Sequence, residues 1–182
     1  MRKIVASLHM SLNGVVESPD RWVFPHGYAN EEVEQEIGAS MATSDAMLLG
    51  RVTYEEFAAH WPRQTGDVAD YMNNTPKVVV STTLRTAEWR NTTLVGGDVV
   101  AELTRLKEQP GGNLSVVGSA TLVRSLLRDG LLDELKLLVC PILVGGGKRL
   151  FEDGGAEVPL RLVDAKTFGT GVQALTYTPA GE

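Results

Sequence analysis

The chain has 182 residues, 43% of them hydrophobic and 22% charged, enough apolar content for one substantial core. Its formal net charge of −6 excludes a general nucleic-acid or anionic-membrane surface, which needs an excess of Lys and Arg. The single cysteine, Cys140, excludes an intrachain disulfide and a cysteine cluster for metal, and His9, His26 and His60 lack the i,i+3 or i,i+4 partners of a zinc site.

In chain order, KIVASL (3–8) has the pattern of a strand buried on both faces. No long apolar leader accompanies it and no run approaches the ~20 apolar residues of a membrane span, so the protein is expected to be soluble and cytoplasmic. Asn13-Gly14 marks a turn, and residues 18–29 form a loop carrying Trp22, Phe24 and Tyr28. Asn30 suits a helix N-cap, with Glu31 and Glu32 in the first turn. Val33, Ile37 and Met41 follow at helical spacing, which predicts a helix to about residue 43.

AMLLG (46–50) reads as the second strand, followed by a helix from Tyr54 to about His60 and a polar loop. KVVVST (77–82) and TTLVGGD (92–98) supply two more strands, and Asp98 caps a helix with Val99, Leu103 and Leu106 on one face. LSVVG (114–118) is a strand; SATLVRSLLRDG (119–130) is a helix closed by Gly130. DELKLLVCPILVGGG (133–147) reads as one long strand, and residues 160–168 and 172–179 as a closing antiparallel hairpin. The expected fold class is α/β: one three-layer α/β/α domain over residues 1–182, its central sheet mostly parallel with an antiparallel C-terminal hairpin.

A nucleotide site in such a sheet belongs beyond the carboxyl ends of the parallel strands. Three strand ends carry suitable groups. At Gly50-Arg51-Val52-Thr53, Thr53 and Glu56 fit a capping box, and the helix start, hydroxyl and guanidinium suit a phosphate. Ser81-Thr82-Thr83 offers hydroxyls at the end of a strand. Gly118-Ser119-Ala120-Thr121 passes from strand to helix, and its glycine admits a pyrophosphate close to the backbone. Each segment alone has an ordinary reading as turn or cap; together they point to a bound nucleotide. G-x-G-x-x-G is absent, and VGGGKRL (144–150) lacks the spacing of a phosphate-binding P-loop.

The order SLNG, LLGRVTYE, VVVST, VVGSATLV with GLLDEL, then PILVGGGKRLF resembles the dihydrofolate reductase-like superfamily. The nearest branch is the reductase domain of the bifunctional riboflavin-biosynthesis enzyme, over about residues 3–178. This resemblance implies an NADPH-binding reductase fold. Arg51 and Thr53 would take the 2′-phosphate region, and Ser81, Thr82 and Thr83 the adenosine side. Gly118, Ser119, Ala120, Thr121 and Leu122 would hold the pyrophosphate, with Gly50 at the preceding turn. Asn13, Gly14 and Val15 would border the nicotinamide, with Ala6 beneath it.

Gly118-Ser119 replaces the Gly-Gly pair of dihydrofolate reductases. The acid those enzymes carry after a W-x-x-P loop falls, behind WVFP (22–25), on Glu36 or Glu32, whose plain alternative is a solvated acidic helix face. Trp22, Phe24 and Tyr28 are expected to wall a small heterocyclic substrate or to pack as a lid. The deaminase half of the riboflavin enzyme is not expected within these residues, because its zinc motif needs paired cysteines and they hold one. The resemblance thus implies a stand-alone reductase of a pteridine, pyrimidine or similar ring. The alternative is a ligand-binding or regulatory protein that keeps the cleft without a catalytic acid. No nucleic-acid or membrane partner is expected, and the apolar C-terminal strands suggest a two-fold homodimer.

Overall fold

In the computed structural model, which describes residues 1–155 and 157–180, thirteen main elements build one layered architecture. They run β1 (Ile4–Ser11), α1 (Glu31–Ala42), β2 (Ser44–Gly50), α2 (Arg51–His60), α3 (Asp67–Asn74), β3 (Lys77–Val80) and β4 (Thr92–Val95). Then follow α4 (Val99–Glu108), β5 (Asn113–Val116), α5 (Ala120–Arg128), β6 (Glu134–Cys140), β7 (Leu160–Thr167) and β8 (Gln173–Pro179). The strands form one eight-stranded sheet in the order β4-β3-β2-β5-β1-β6-β8-β7. From β4 to β6 every pairing is parallel, whereas β8 pairs antiparallel with both β6 and β7.

Alternation along β2 shows how the layers arise. Ala46 and Leu48 face the cluster of Leu103 on α4 and Val123 and Leu126 on α5. Met47 and Leu49 face the opposite cluster, with Tyr54 of α2 and Met72 of α3. The period-two rule sends neighbouring residues to opposite faces, so a strand buried on both sides must be apolar throughout, as AMLL is. A third cluster joins Trp22, Val23, Val33 of α1, Leu138, Cys140 and Phe168. Cys140 is buried, which raises its thiol to a pKa of about 11 and leaves it an apolar filler.

The sequence-derived caps form as expected. Asn30 Oδ1 accepts from Val33 N at 3.1 Å, and Asp98 Oδ1 from Ala101 N at 3.0 Å. Gly130 closes α5 with a positive φ of 66°, a conformation a Cβ would strain.

Four expectations need correction. The helix after β2 starts at Arg51 rather than Tyr54, with Gly50 as N-cap, so Thr53 lies inside the first turn and its side chain caps nothing. The polar loop contains α3, a short helix held by Ala69, Met72 and Asn73, which are buried. β6 ends at Cys140, because Pro141 brings no N–H to a ladder. Finally, the apolar tail strand β8 is interior to the sheet, and the charged strand β7 forms the edge.

Candidate active site

A cleft of about 910 Å³ opens beyond the carboxyl ends of β2, β3 and β5, reaches Ser7, Leu8 and His9 of β1, and is roofed by residues 16–24. Its floor is made where two strand-to-helix turns meet. Gly50 ends β2, and a Cβ there would stand 3.0 Å from Ser119 Oγ. Gly118 precedes α5 at φ 158°, and a Cβ there would just touch the Thr53 methyl, 3.4 Å away. The two glycines therefore let the turns pack together, which brings the N-termini of α2 and α5 to one floor. Each end presents unpaired backbone N–H groups and a partial positive charge, the ordinary receptor for phosphate.

The side chains at these ends fit that role. Arg51 lines the cleft, half-exposed, with Nη1 2.8 Å from Glu55 Oε2. An exposed i,i+4 pair of this kind is worth about 0.3–0.5 kcal/mol, so the guanidinium is cheaply released to a ligand. Ser119 adopts φ 68° and ψ 88°, unusual for a residue with a Cβ, and its Oγ accepts from Leu122 N at 3.3 Å. Left-handed non-glycine backbone costs on the order of 1 kcal/mol, and such strain collects at functional turns.

Of the residues expected to hold a cofactor, Gly50, Arg51, Thr53, Gly118, Ser119, Ala120, Thr121 and Leu122 line this one cleft. Ser81, Thr82 and Thr83 sit just past Val80, the last residue of β3 in the cleft wall. Ser81 Oγ is engaged locally, accepting from Thr83 N at 3.2 Å and Leu84 N at 2.9 Å. Ala6 is fully buried with its side chain in the α4/α5 core, so the wall at β1 is formed by Ser7, Leu8 and His9 instead. Leu8, on the same face as Ala6 but nearer the carboxyl end of the strand, does reach the cleft.

Asn13, Gly14 and Val15 stand beside the cleft as a strap. Asn13 Nδ2 donates to Val144 O at 2.9 Å, and its Oδ1 accepts from Val144 N at 3.0 Å. Gly14, at φ 87°, offers its carbonyl to Leu150 N at 2.9 Å, and Val15 bridges Arg149. A Cβ at Gly147 would lie 2.9 Å from Val15 Cγ1, so this glycine lets the two loops close on each other. Lys148, from the same loop, reaches the cleft.

The expected acids lie elsewhere. Glu32 Oε2 accepts from Gly169 N at 3.1 Å, holding the β7–β8 turn, and Glu36 Oε2 is 3.7 Å from Lys166 Nζ. Neither borders the large cleft, since α1 presents this side to the C-terminal hairpin. Phe24 does line it, whereas Trp22 is buried below and Tyr28 donates to Pro141 O at 3.2 Å. The titratable groups of the cleft are His9, Glu17, Asp20, Arg21, Arg51, Glu56 and Lys148. His9 has no motif around it that marks a site residue. The available signal was Ser7, His9 and Ser11 at every second position of an otherwise apolar strand.

The model of the RibD C-terminal domain matches residues 2–174. The chain belongs to that family. A relative, YwjB of Bacillus subtilis (strain 168), described as uncharacterized, is 28% identical over 172 residues, covering 94% of this chain and 95% of its own. A provisionally named riboflavin biosynthesis protein from Shewanella sp. PV-4 superposes with a TM-score of 0.78 at 23% identity, over the full length of both chains. Dihydrofolate reductase from Enterococcus faecalis, complexed with NADP(H) and RAB-propyl, gives a TM-score of 0.65 at 15% identity, covering 98% of this chain and 97% of that one. The RibD C-terminal member thus has the dihydrofolate reductase-like fold. Among its described residues no helix is long and apolar enough to cross a membrane.

Proposed function

We propose that this protein is an NADPH-dependent reductase of a small planar heterocycle, of the pteridine or pyrimidine kind. The observation that carries the reading is the convergence of two helix N-termini and Arg51 on one floor, packed together through Gly50 and Gly118. Backbone N–H groups at residues 119–121 suit a pyrophosphate, and Arg51 with the start of α2 suits the additional 2′-phosphate. The net charge of −6 makes these local groups decisive, because the global field repels anions.

When bound, NADPH supplies a hydride to an electron-poor ring carbon; the chain itself supplies position and electrostatics. Residues 16–24 roof the cleft, and the strap from Asn13 to Val144 fixes where that roof starts. Phe24 gives an apolar surface against which a flat ring can lie. Glu32 and Glu36, engaged with the hairpin, are assigned no proton transfer here. That placement favours the second reading, a binding protein that retains the nucleotide cleft without turnover.

Mixing the protein with NADPH and a panel of dihydropteridines and aminopyrimidines separates the two. Loss of reduced-nicotinamide absorbance with any member supports the reductase. Tight NADPH binding with no turnover on a broad panel supports the binding protein, and failure to bind NADPH contradicts both.

For assembly we propose a two-fold homodimer through the C-terminal hairpin. Its support is the exposure of Leu162 and Val163 on the edge strand β7, next to the charged Arg161, Asp164 and Lys166. Light scattering checks it: twice the mass of one chain is expected, and a single-chain mass contradicts it.

A further inference from the structure

β1 carries two chemically different faces. Ile4, Ala6 and Leu8 pack into the α4/α5 core, and the opposite face presents Val5, Ser7, His9 and Ser11. Ser11 is fully buried and satisfied, its hydroxyl donating to Asn13 Oδ1 at 2.8 Å and accepting from Val15 N at 2.9 Å. His9 is not. It lines the cleft next to Ser7, with Nε2 buried and, among the described residues, without a hydrogen-bond partner; Trp61 Nε1, Tyr71 Oη and Thr178 Oγ1 are buried and unpaired as well, but none of those residues lines the cleft.

Leaving a buried polar atom unpaired costs roughly 1–3 kcal/mol, and such exceptions in a folded protein call for a cause. The other two histidines are exposed and bear no such cost. His26 Nδ1 is bonded to Trp22 O at 3.1 Å and its ring stacks on Tyr28, while His60 stands edge-on to Trp61.

The surroundings narrow what His9 can bind. In register it sits beside Leu138 of β6, an aliphatic neighbour. Charged groups face the cleft from each surrounding element: Glu17, Asp20 and Arg21 from the roof, Arg51 and Glu56 from α2, and Lys148 from the strap loop. Glu36 of α1 and Lys136 of β6 lie on the far side of Ser7. None pairs with the imidazole. Burial alone pushes its pKa below the usual 6.5, so at neutral pH the ring is uncharged, with one N–H to donate and one lone pair to accept. No group of three or more His, Cys, Asp or Glu among the described residues is arranged to hold a metal ion. A neutral donor–acceptor in a half-apolar wall is matched by a neutral ring amide or imine, not by a phosphate or a cation.

We propose that His9 is a substrate-recognition residue, hydrogen-bonding through its imidazole to a ring nitrogen or carbonyl of the heterocycle lodged against β1. The proposal rests on the reductase reading and gives it a substrate-side contact that Glu32 and Glu36 do not provide. Ser7, two residues away on the same face and so about 6–7 Å along the strand, is placed to meet the same ligand.

The test uses the NADPH-saturated protein, with 6,7-dimethylpterin and 5,6-diaminouracil as probes. In the nitrogen-labelled wild type, the His9 ring resonances, assigned by their loss in His9→Phe, should shift when a probe binds. His9→Phe should weaken that probe about tenfold or more while holding NADPH affinity within about twofold, and His9→Gln, which keeps a donor and an acceptor, should recover part of the loss. A probe that binds without moving the His9 resonances, or binds His9→Phe as tightly as wild type, overturns the proposal. NADPH binding with neither probe binding also overturns it and leaves the cofactor reading standing; failure to bind NADPH removes that reading itself.

Discussion

Two basic side chains, each withdrawn from solvent, sit at opposite ends of the sheet and are treated in opposite ways. Lys77, at the start of β3 and 1% exposed, has every N–H engaged. Its Nζ donates to Asn73 O at 3.0 Å, Thr75 O at 2.8 Å and Arg90 O at 3.2 Å, and lies 4.1 Å from the centre of the Trp89 ring. His9, toward the carboxyl end of β1 in the cleft, has no partner among the described residues. Lys77 completes its polar contacts within the chain, whereas His9 leaves one open; Trp61 Nε1, Tyr71 Oη and Thr178 Oγ1 are unpaired too, but none of these residues lines the cleft. An unpaired group that also lines the cleft is what separates a recognition group from a structural one.

The comparison breaks most visibly at Lys77. Lys77→Met keeps the stem but removes the ammonium donor from Thr75 O and Arg90 O and leaves Asn73 O only Arg90 Nε, and should lower unfolding free energy by about 3 kcal/mol in a urea titration. His9→Phe should change stability by less than about 1 kcal/mol, or raise it, because an unpaired polar group is removed. Similar large losses at both positions would erase the distinction.

A pH series sharpens it. Burial first, and the Arg90 charge second, lower the Lys77 pKa from 10.5 to about 8. The unfolded chain therefore binds this proton more tightly than the folded one. The resulting destabilisation is complete below pH 8 and is relieved as pH rises from about 8 to 10.5. The stability difference between wild type and Lys77→Met should widen by on the order of 1–3 kcal/mol across that window. A constant difference would show that the three carbonyls hold the ammonium charged throughout.

The smallest effect is expected at the cleft floor. Ser119→Ala removes the cap on Leu122 N and keeps the strained backbone, for a loss of about 1 kcal/mol in urea. Ser119→Gly loses the same cap but relieves the positive φ, so it should be the more stable of the two.

Where local chemistry decides the structure, the sequence was readable. Asn30, Asp98 and Gly130 cap or close helices because one side chain, or the lack of one, settles each terminus. The cleft floor was readable too, since glycine, hydroxyl and arginine at strand ends need only the parallel sheet to bring them together. Three features depended on packing between distant segments and were missed. α3 is eight residues long and is stabilised by Trp89 and Asn73 contacts that no local pattern announces. Glu32 and Glu36 follow the WVFP loop as an acid of the cleft would, but sequence order does not say whether α1 turns them to the cleft or to the C-terminal hairpin. Thr53 looked like an N-cap because Thr and Glu stand three apart, yet Gly50, pressed against Ser119, starts the helix three residues earlier.

The claim that the cleft is an NADPH site is tested most directly by titrating NADPH and NADH into wild type and Arg51→Ala and following nicotinamide fluorescence. A charge-assisted contact to phosphate is worth about 1.5–3 kcal/mol, or roughly ten- to a hundredfold in affinity. Arg51→Ala should weaken NADPH by that factor and leave NADH nearly unchanged. Equal losses for both cofactors, or no binding of NADPH to the wild type, would contradict the assignment.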